Sequence, residues 1–276
     1  MTRVALFQAQ SGIDPRRNAD ALVEAVRAAK ASGAEMLFTP EMSGLLDRDR
    51  ERSAANVRSE EEDSVLAAVR EAARVDGLWV HLGSLALKGD GGRLVNRGFV
   101  IDSAGSVRAR YDKLHLFDVD LPTGESWRES ATYRAGERLV VVDGTPVGKL
   151  GLAICYDIRF PALFAALAEA GAEVIAVPAA FTVPTGQAHW QVLLRARAIE
   201  AGLFVIAAAQ AGRHEDGRET YGHSLVVGPW GEVLGEMGGE PGLAFADVDQ
   251  TRIAEVRSRV PALSHRRPMP PVEVVR

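Results

Sequence analysis

Cysteine is almost missing from this chain: 276 residues hold a single one, Cys155. One thiol excludes an intramolecular disulfide and fits a reducing compartment, so a cytoplasmic protein is expected. No stretch reaches the ~18 apolar residues of a membrane span. The start, Met1-Thr2-Arg3, enters a strand-like run without the apolar core and cleavage site of a secretory leader. Basic blocks are lacking too. The arginines come singly or in pairs, and the net charge is -5, so no nucleic-acid face is expected. Low-complexity linkers and strong repeats are also missing, and one domain over residues 1–276 is expected. Its last stretch, 261–276, reads as an extended tail, rich in proline and arginine and without an amphipathic period.

What is present is an ordinary globular balance, 47% hydrophobic and 25% charged. Short β-type runs alternate with amphipathic patterns. Strands are predicted at 3–10, 35–38, 78–85, 174–178, 203–209 and 243–248. Helices are predicted at 17–32, 60–75, 161–171, 188–201 and 250–259. Turn residues join 95–102 to 107–113, 139–142 to 149–155, and 224–227 to 233–234, each a predicted hairpin. Sheets covered by helices on one face, and packed on each other, give an α/β class.

Three segments at predicted strand ends carry reactive side chains. Glu41 follows Thr39-Pro40; alone it reads first as a solvated loop acid. Lys113, in Tyr111-Asp112-Lys113-Leu114-His115, alone reads first as a snorkelling surface lysine. Cys155 closes an apolar run before a helical pattern and reads either as a nucleophile or as a small buried hydrophobe. As a set they form a workable machine. The thiolate attacks a carbonyl or nitrile carbon, the carboxylate moves protons, and the ammonium steadies the oxyanion beside a backbone N–H. That chemistry needs neither metal nor cofactor. A cysteine–histidine pair, with His115 or His223 as base, is the rival arrangement. His115, His189 and His223 lack the spacing of a metal site.

Pro40-Glu41, residues 113–116 and residues 151–161 resemble the three signature segments of the nitrilase superfamily of carbon–nitrogen hydrolases, in the same order. The resemblance implies a four-layer αββα sandwich, paired into dimers or higher homo-oligomers across helical surfaces. It implies Cys155 as nucleophile, Glu41 as general base, Lys113 at the tetrahedral intermediate, and Glu129 near lysine and substrate.

Residues 155–161, 178–181, 186–190, 194–198, 207–214, 221–224 and 228–231 are similar to the Nit branch of amidases. That branch implies a small-molecule substrate, the terminal amide of a 2-oxo acid derivative such as deaminated glutathione, opened through a Cys155 thioester. 2-Oxoglutaramate, N-carbamoyl amino acids and aliphatic amides remain alternatives. Tyr156 stands where aliphatic nitrilases carry tryptophan, which weighs against nitriles. A 2-oxo acid brings a carboxylate, and arginine grips one through two parallel hydrogen bonds. Arg159, four residues past Cys155, is the candidate, with an internal ion pair as its alternative. Phe181 and Thr182 are candidates for the pocket wall. Arg195 and Arg197 are expected in ion pairs, and Trp190 and Trp230 in packing.

Overall fold

The computed structural model describes residues 1–121 and 124–275. Two six-stranded sheets dominate it. The first is built from β1 (Thr2–Gln8), β2 (Met36–Phe38), β3 (Trp79–Lys88), β4 (Leu94–Ile101) and β5 (Val107–Asp112). The second takes β6 (Val141–Thr145), β7 (Gly148–Leu152), β8 (Val174–Ala176), β9 (Phe204–Ala207), β10 (Leu225–Val227) and β11 (Val233–Glu236). The last strand, β12 (Gly242–Val248), returns to pair antiparallel with β1, closing the first sheet in the order β12-β1-β2-β3-β4-β5. The second runs β11-β10-β9-β8-β7-β6.

Strand alternation explains the layering. Val4, Leu6, Met36, Phe38 and Val100 turn toward the second sheet and share its core. Their neighbours Ala5, Leu37, Phe99 and Ile101 turn the other way, onto α1 (Pro15–Ala31) and α2 (Ser64–Asp76). On the far side, α3 (Pro161–Glu169) and α4 (Val183–Ala201) cover the second sheet through Phe164, Leu167, Trp190 and Leu194. The layers run helix, sheet, sheet, helix, and the predicted αββα sandwich stands. A fifth helix, α5 (Thr251–Arg259), packs Ile253 on the same core.

Boundaries moved where capping overrode pattern. The predicted helix 60–75 splits: Glu60–Glu62 makes a 3-10 turn, and the Asp63 carboxylate accepts from Leu66 N at 2.8 Å to start α2. Helix α4 starts five residues before its prediction, since Pro184 fits a first turn. The predicted strand 149–155 ends at Leu152, and Cys155 opens a 3-10 helix, Cys155–Arg159. The tail, from 261 on, has no helix or strand among its described residues.

Candidate active site

Glu41 lies in a turn directly after β2. That turn rests on an irregularity of β3 between Leu82 and Leu85. Gly83 N donates to Thr39 Oγ1 at 3.0 Å, Met42 N to Ser84 Oγ at 2.9 Å, and Ser43 N to Ser84 O at 2.9 Å. A Cβ at Gly83 would collide with the carbonyl oxygens of Thr39 and Pro40, so the turn can lie this close only on glycine. Lys113 follows β5, its N–H bonded to Asn96 O on β4 at 2.9 Å.

Cys155 comes from the opposite sheet. Its φ of +48° is a left-handed backbone that side-chain-bearing residues seldom adopt. Two anchors hold it. Cys155 N donates to Pro178 O at 2.9 Å. Asp157, fully buried, accepts from Tyr111 OH at 2.7 Å, Ile154 N at 2.9 Å and His115 N at 2.9 Å. His115 Nδ1 also lies 2.7 Å from this carboxylate, and its ring stacks on Phe160 at 3.5 Å. His223 stacks on Tyr221 at 4.1 Å. Among the described residues neither histidine bonds to Cys155, so the rival cysteine–histidine pair lacks its contact.

Four side chains meet between the sheets. Lys113 Nζ lies 2.8 Å from Glu41 Oε1 and 2.9 Å from Glu129 Oε2. Lys113 and Glu41 are 2% and 4% exposed, which makes this a buried ionic cluster. Ala180 N donates to Glu41 Oε2 at 3.0 Å, and Phe117 N to Glu129 Oε2 at 2.7 Å. Glu41 and Lys113 both bear electrostatically on the thiol. Burial would push the Lys113 ammonium toward its neutral form, but Glu129 and Glu41 outweigh it and hold the amine protonated well above its ordinary range. Burial, then the charge of Glu41, pushes the Cys155 thiol well up, against the opposing pull of Lys113. At rest the sulfur is a thiol, with a carboxylate, Glu41, beside it to take its proton. The first turn of the 3-10 helix leaves the Tyr156 N–H without an acceptor inside the helix, a donor available beside the sulfur.

Asn96 escaped the sequence reading. Only 1% exposed, its amide donates to Glu41 Oε1 at 2.9 Å and to Glu129 Oε1 at 3.2 Å. An asparagine inside the apolar run 94–101 was the available signal, since strands disfavour it.

The cluster opens into a cavity of about 340 Å³, the size of a small-ligand site. Tyr156, Phe181 and Thr182 line it. Thr182 Oγ1 lies 2.8 Å from Thr185 Oγ1, and Phe181 leans on Trp190. Arg159 is not among the lining residues. Its guanidinium lies over two lining rings, 5.8 Å from the Tyr156 ring centroid and 5.6 Å from that of Phe181, with His189 Nδ1 at 3.3 Å. Trp190 is fully buried and donates to His223 O at 2.8 Å, whereas Trp230 is exposed. Arg197 pairs with Glu200 at 2.8 Å; Arg195 instead donates to Gly231 O at 2.7 Å. Among the described residues no three His, Cys, Asp or Glu side chains gather as a metal site would require, and no helix is long and apolar enough to cross a membrane.

A buried acid, amine, acid and thiol between two sheets, opening on a ligand-sized cavity, is a constellation for acyl transfer from nitrogen to sulfur. The carbon-nitrogen hydrolase family model matches residues 3–258, and the chain belongs to that family as an amide-hydrolysing enzyme. Among its relatives, the deaminated glutathione amidase of Yersinia enterocolitica is 40% identical over 267 residues, 96% of this chain and 92% of that protein. The crystal structure of the C. elegans NitFhit protein superposes with a TM-score of 0.89 at 38% identity, over 96% of this chain and 65% of that one. A mutant amidase from Nesterenkonia sp. AN1, carrying the acetamide moiety of fluoroacetamide covalently added at its active-site cysteine, is 30% identical with a TM-score of 0.80, covering 96% and 94% of the two chains.

Proposed function

We propose that this enzyme hydrolyses the amide of a 2-oxo acid derivative, deaminated glutathione foremost, to 2-oxoglutarate and cysteinylglycine through a thioester on Cys155. The observation that carries the chemistry is the Glu41–Lys113–Glu129–Cys155 cluster at the floor of the cavity. The substrate follows from the likeness to the deaminated glutathione amidases.

The thiol proton passes to Glu41 as sulfur attacks the amide carbon, so no free thiolate accumulates beside a carboxylate. The carbonyl oxygen becomes an oxyanion between the Lys113 ammonium and the Tyr156 N–H. Glu129 clamps Lys113 from its other side. The carbon–nitrogen bond then breaks while Glu41 returns the proton to the leaving amine. Water enters, loses a proton to Glu41 and attacks the thioester; the acid departs and sulfur regains its proton. We assign the carboxylate of the 2-oxo acid to the wall of Tyr156, Phe181 and Thr182, where Arg159, lying over both rings, supplies positive charge.

The enzyme is proposed to be a cytoplasmic homodimer or higher homo-oligomer. The support is three large apolar side chains left to water on and beside α4, Val192, Ile199 and Trp230, at 67%, 53% and 57% exposure. Light scattering on the purified protein tests it.

The function is tested by timing release of 2-oxoglutarate from deaminated glutathione and 2-oxoglutaramate beside N-carbamoyl amino acids and short aliphatic amides. Turnover of the 2-oxo acids at least about a hundredfold faster is expected, the discrimination a site built around a carboxylate can give. Comparable rates on plain amides, or full turnover by Cys155→Ala, would overturn the reading.

A further inference from the structure

Deaminated glutathione has two negatively charged ends, and the assignment above accounts for one of them. The outer wall of the cavity holds a group that the reaction does not use. Trp127, in the short strand Ser126–Arg128 that pairs with Asp118–Asp120, lines the cavity between two arginines: Arg218 Cζ lies 5.1 Å from its ring centroid and Arg48 Cζ 5.8 Å. The indole N–H is buried and has no hydrogen-bond partner among the described residues. Such an N–H is costly to leave unmet, which a ligand acceptor would relieve.

The charges around it are unevenly matched. Arg218 pairs with the buried Asp216 at 2.7 Å, Arg52 with the buried Asp47 at 2.7 Å, and Arg128 with Asp120 at 2.8 Å. Arg48 lines the cavity too, and among the described residues it has no ion pair. It is nevertheless placed. Its backbone N–H donates to Asp216 Oδ2 at 2.9 Å, and Arg218 Nε reaches the same oxygen at 2.7 Å. One buried carboxylate therefore ties together the loop and the turn that carry the two arginines. A guanidinium held over an aromatic ring with no ion pair of its own has N–H groups free for the two-point grip a carboxylate takes. Exposed Arg50 adds positive charge on the same wall, and exposed Glu219 opposes it.

We infer that Arg48, laid on Trp127, binds a second substrate carboxylate, the one carried by the amine leaving group. This rests on the 2-oxo acid amide reading above. The site would then favour amides whose nitrogen bears an acidic, dipeptide-like group over the same acid ending in a plain amide.

The test compares deaminated glutathione, 2-oxoglutaramate and an analogue of the first with its glycine carboxylate converted to an amide. In Arg48→Met the ratio of kcat/KM for deaminated glutathione to that for 2-oxoglutaramate should fall about tenfold, the fall residing in KM; tenfold is one conventional step in affinity. Arg48→Lys should recover part of it. The neutral analogue should lose a similar factor on the wild-type enzyme and nothing further on Arg48→Met, which a merely structural role could not produce. If both acids turn over and the ratio is unchanged, the second carboxylate site is refuted while the function stands. If neither acid turns over, both fall.

Discussion

Replacing Lys113 by methionine separates what the ammonium does for the fold from what it does for the reaction. In the wild type two buried carboxylates share one buried cation, at 2.8 and 2.9 Å. Methionine fills the same channel and leaves both acids facing each other. Removing one partner from a buried ion pair costs about 3–5 kcal/mol, far more than the pair itself contributes, because an uncompensated charge stays behind. For a chain of this size that is a fall in Tm of roughly 10 °C. Loss of an oxyanion donor separately costs about 10²–10³ in kcat. A second substitution distinguishes the effects. Lys113→Met with Glu129→Gln restores the net charge of the cluster, so most of the lost Tm should return while activity does not. The deficit of the single variant should also shrink between about pH 8 and about pH 5, as an unpaired acid takes up a proton. Differential scanning fluorimetry and steady-state rates on both variants decide it. A single variant within tenfold of wild-type kcat, or a double variant no more stable than the single, would refute the reasoning.

Asn96→Leu removes the amide shared by Glu41 and Glu129 in a similar volume; kcat should fall about ten- to a hundredfold with KM nearly unchanged, since each charge-assisted bond contributes about 1.5–3 kcal/mol. Equal losses in kcat and KM would argue against a positioning role. Glu41→Gln removes a charge that pushes the Cys155 thiol up, and leaves Lys113 pulling it down. Alkylation by iodoacetamide should therefore rise at lower pH than in the wild type, while hydrolysis drops by at least about a hundredfold; an unmoved alkylation midpoint would contradict this. Lys113 and Cys155 both hold their protons more tightly folded than unfolded, so their stabilisation is complete below the unfolded values of 9.0 for the thiol and 10.5 for the amine. Tm should decline as pH climbs past 9.0, and Cys155→Ala should flatten the first part of that decline.

The layering was legible because strand alternation and the apolar faces of α1 and α2 follow directly from residue order. Glu41, Lys113 and Cys155 were legible as candidates because each closes an apolar run with a residue out of keeping with it. What lay beyond reach depended on backbone conformation. Nothing local announces that Cys155 leaves the strand for a left-handed φ, the bend after which Arg159 comes to lie over the rings of Tyr156 and Phe181. Asn96 and Ala180 act through neighbours brought from other strands, a contact that no spacing encodes. The segment 42–58, which holds only the short helix Arg50–Ala54, has no period, so Arg48 gave no sign that it would meet Trp127, some eighty residues further along.

Acid, amine and asparagine are carried by one sheet, thiol and the Ala180 amide by the other, and the two slabs meet through hydrocarbon and a few buried polar bonds such as Tyr111 OH to Asp157. Catalytic rate is therefore a gauge of how the slabs are seated. A cavity-forming change at Val4 or Leu150, remote from any substrate, should register as slower turnover at temperatures where the chain is still folded. Neither half of the gene, expressed alone, could hold a fraction of the activity.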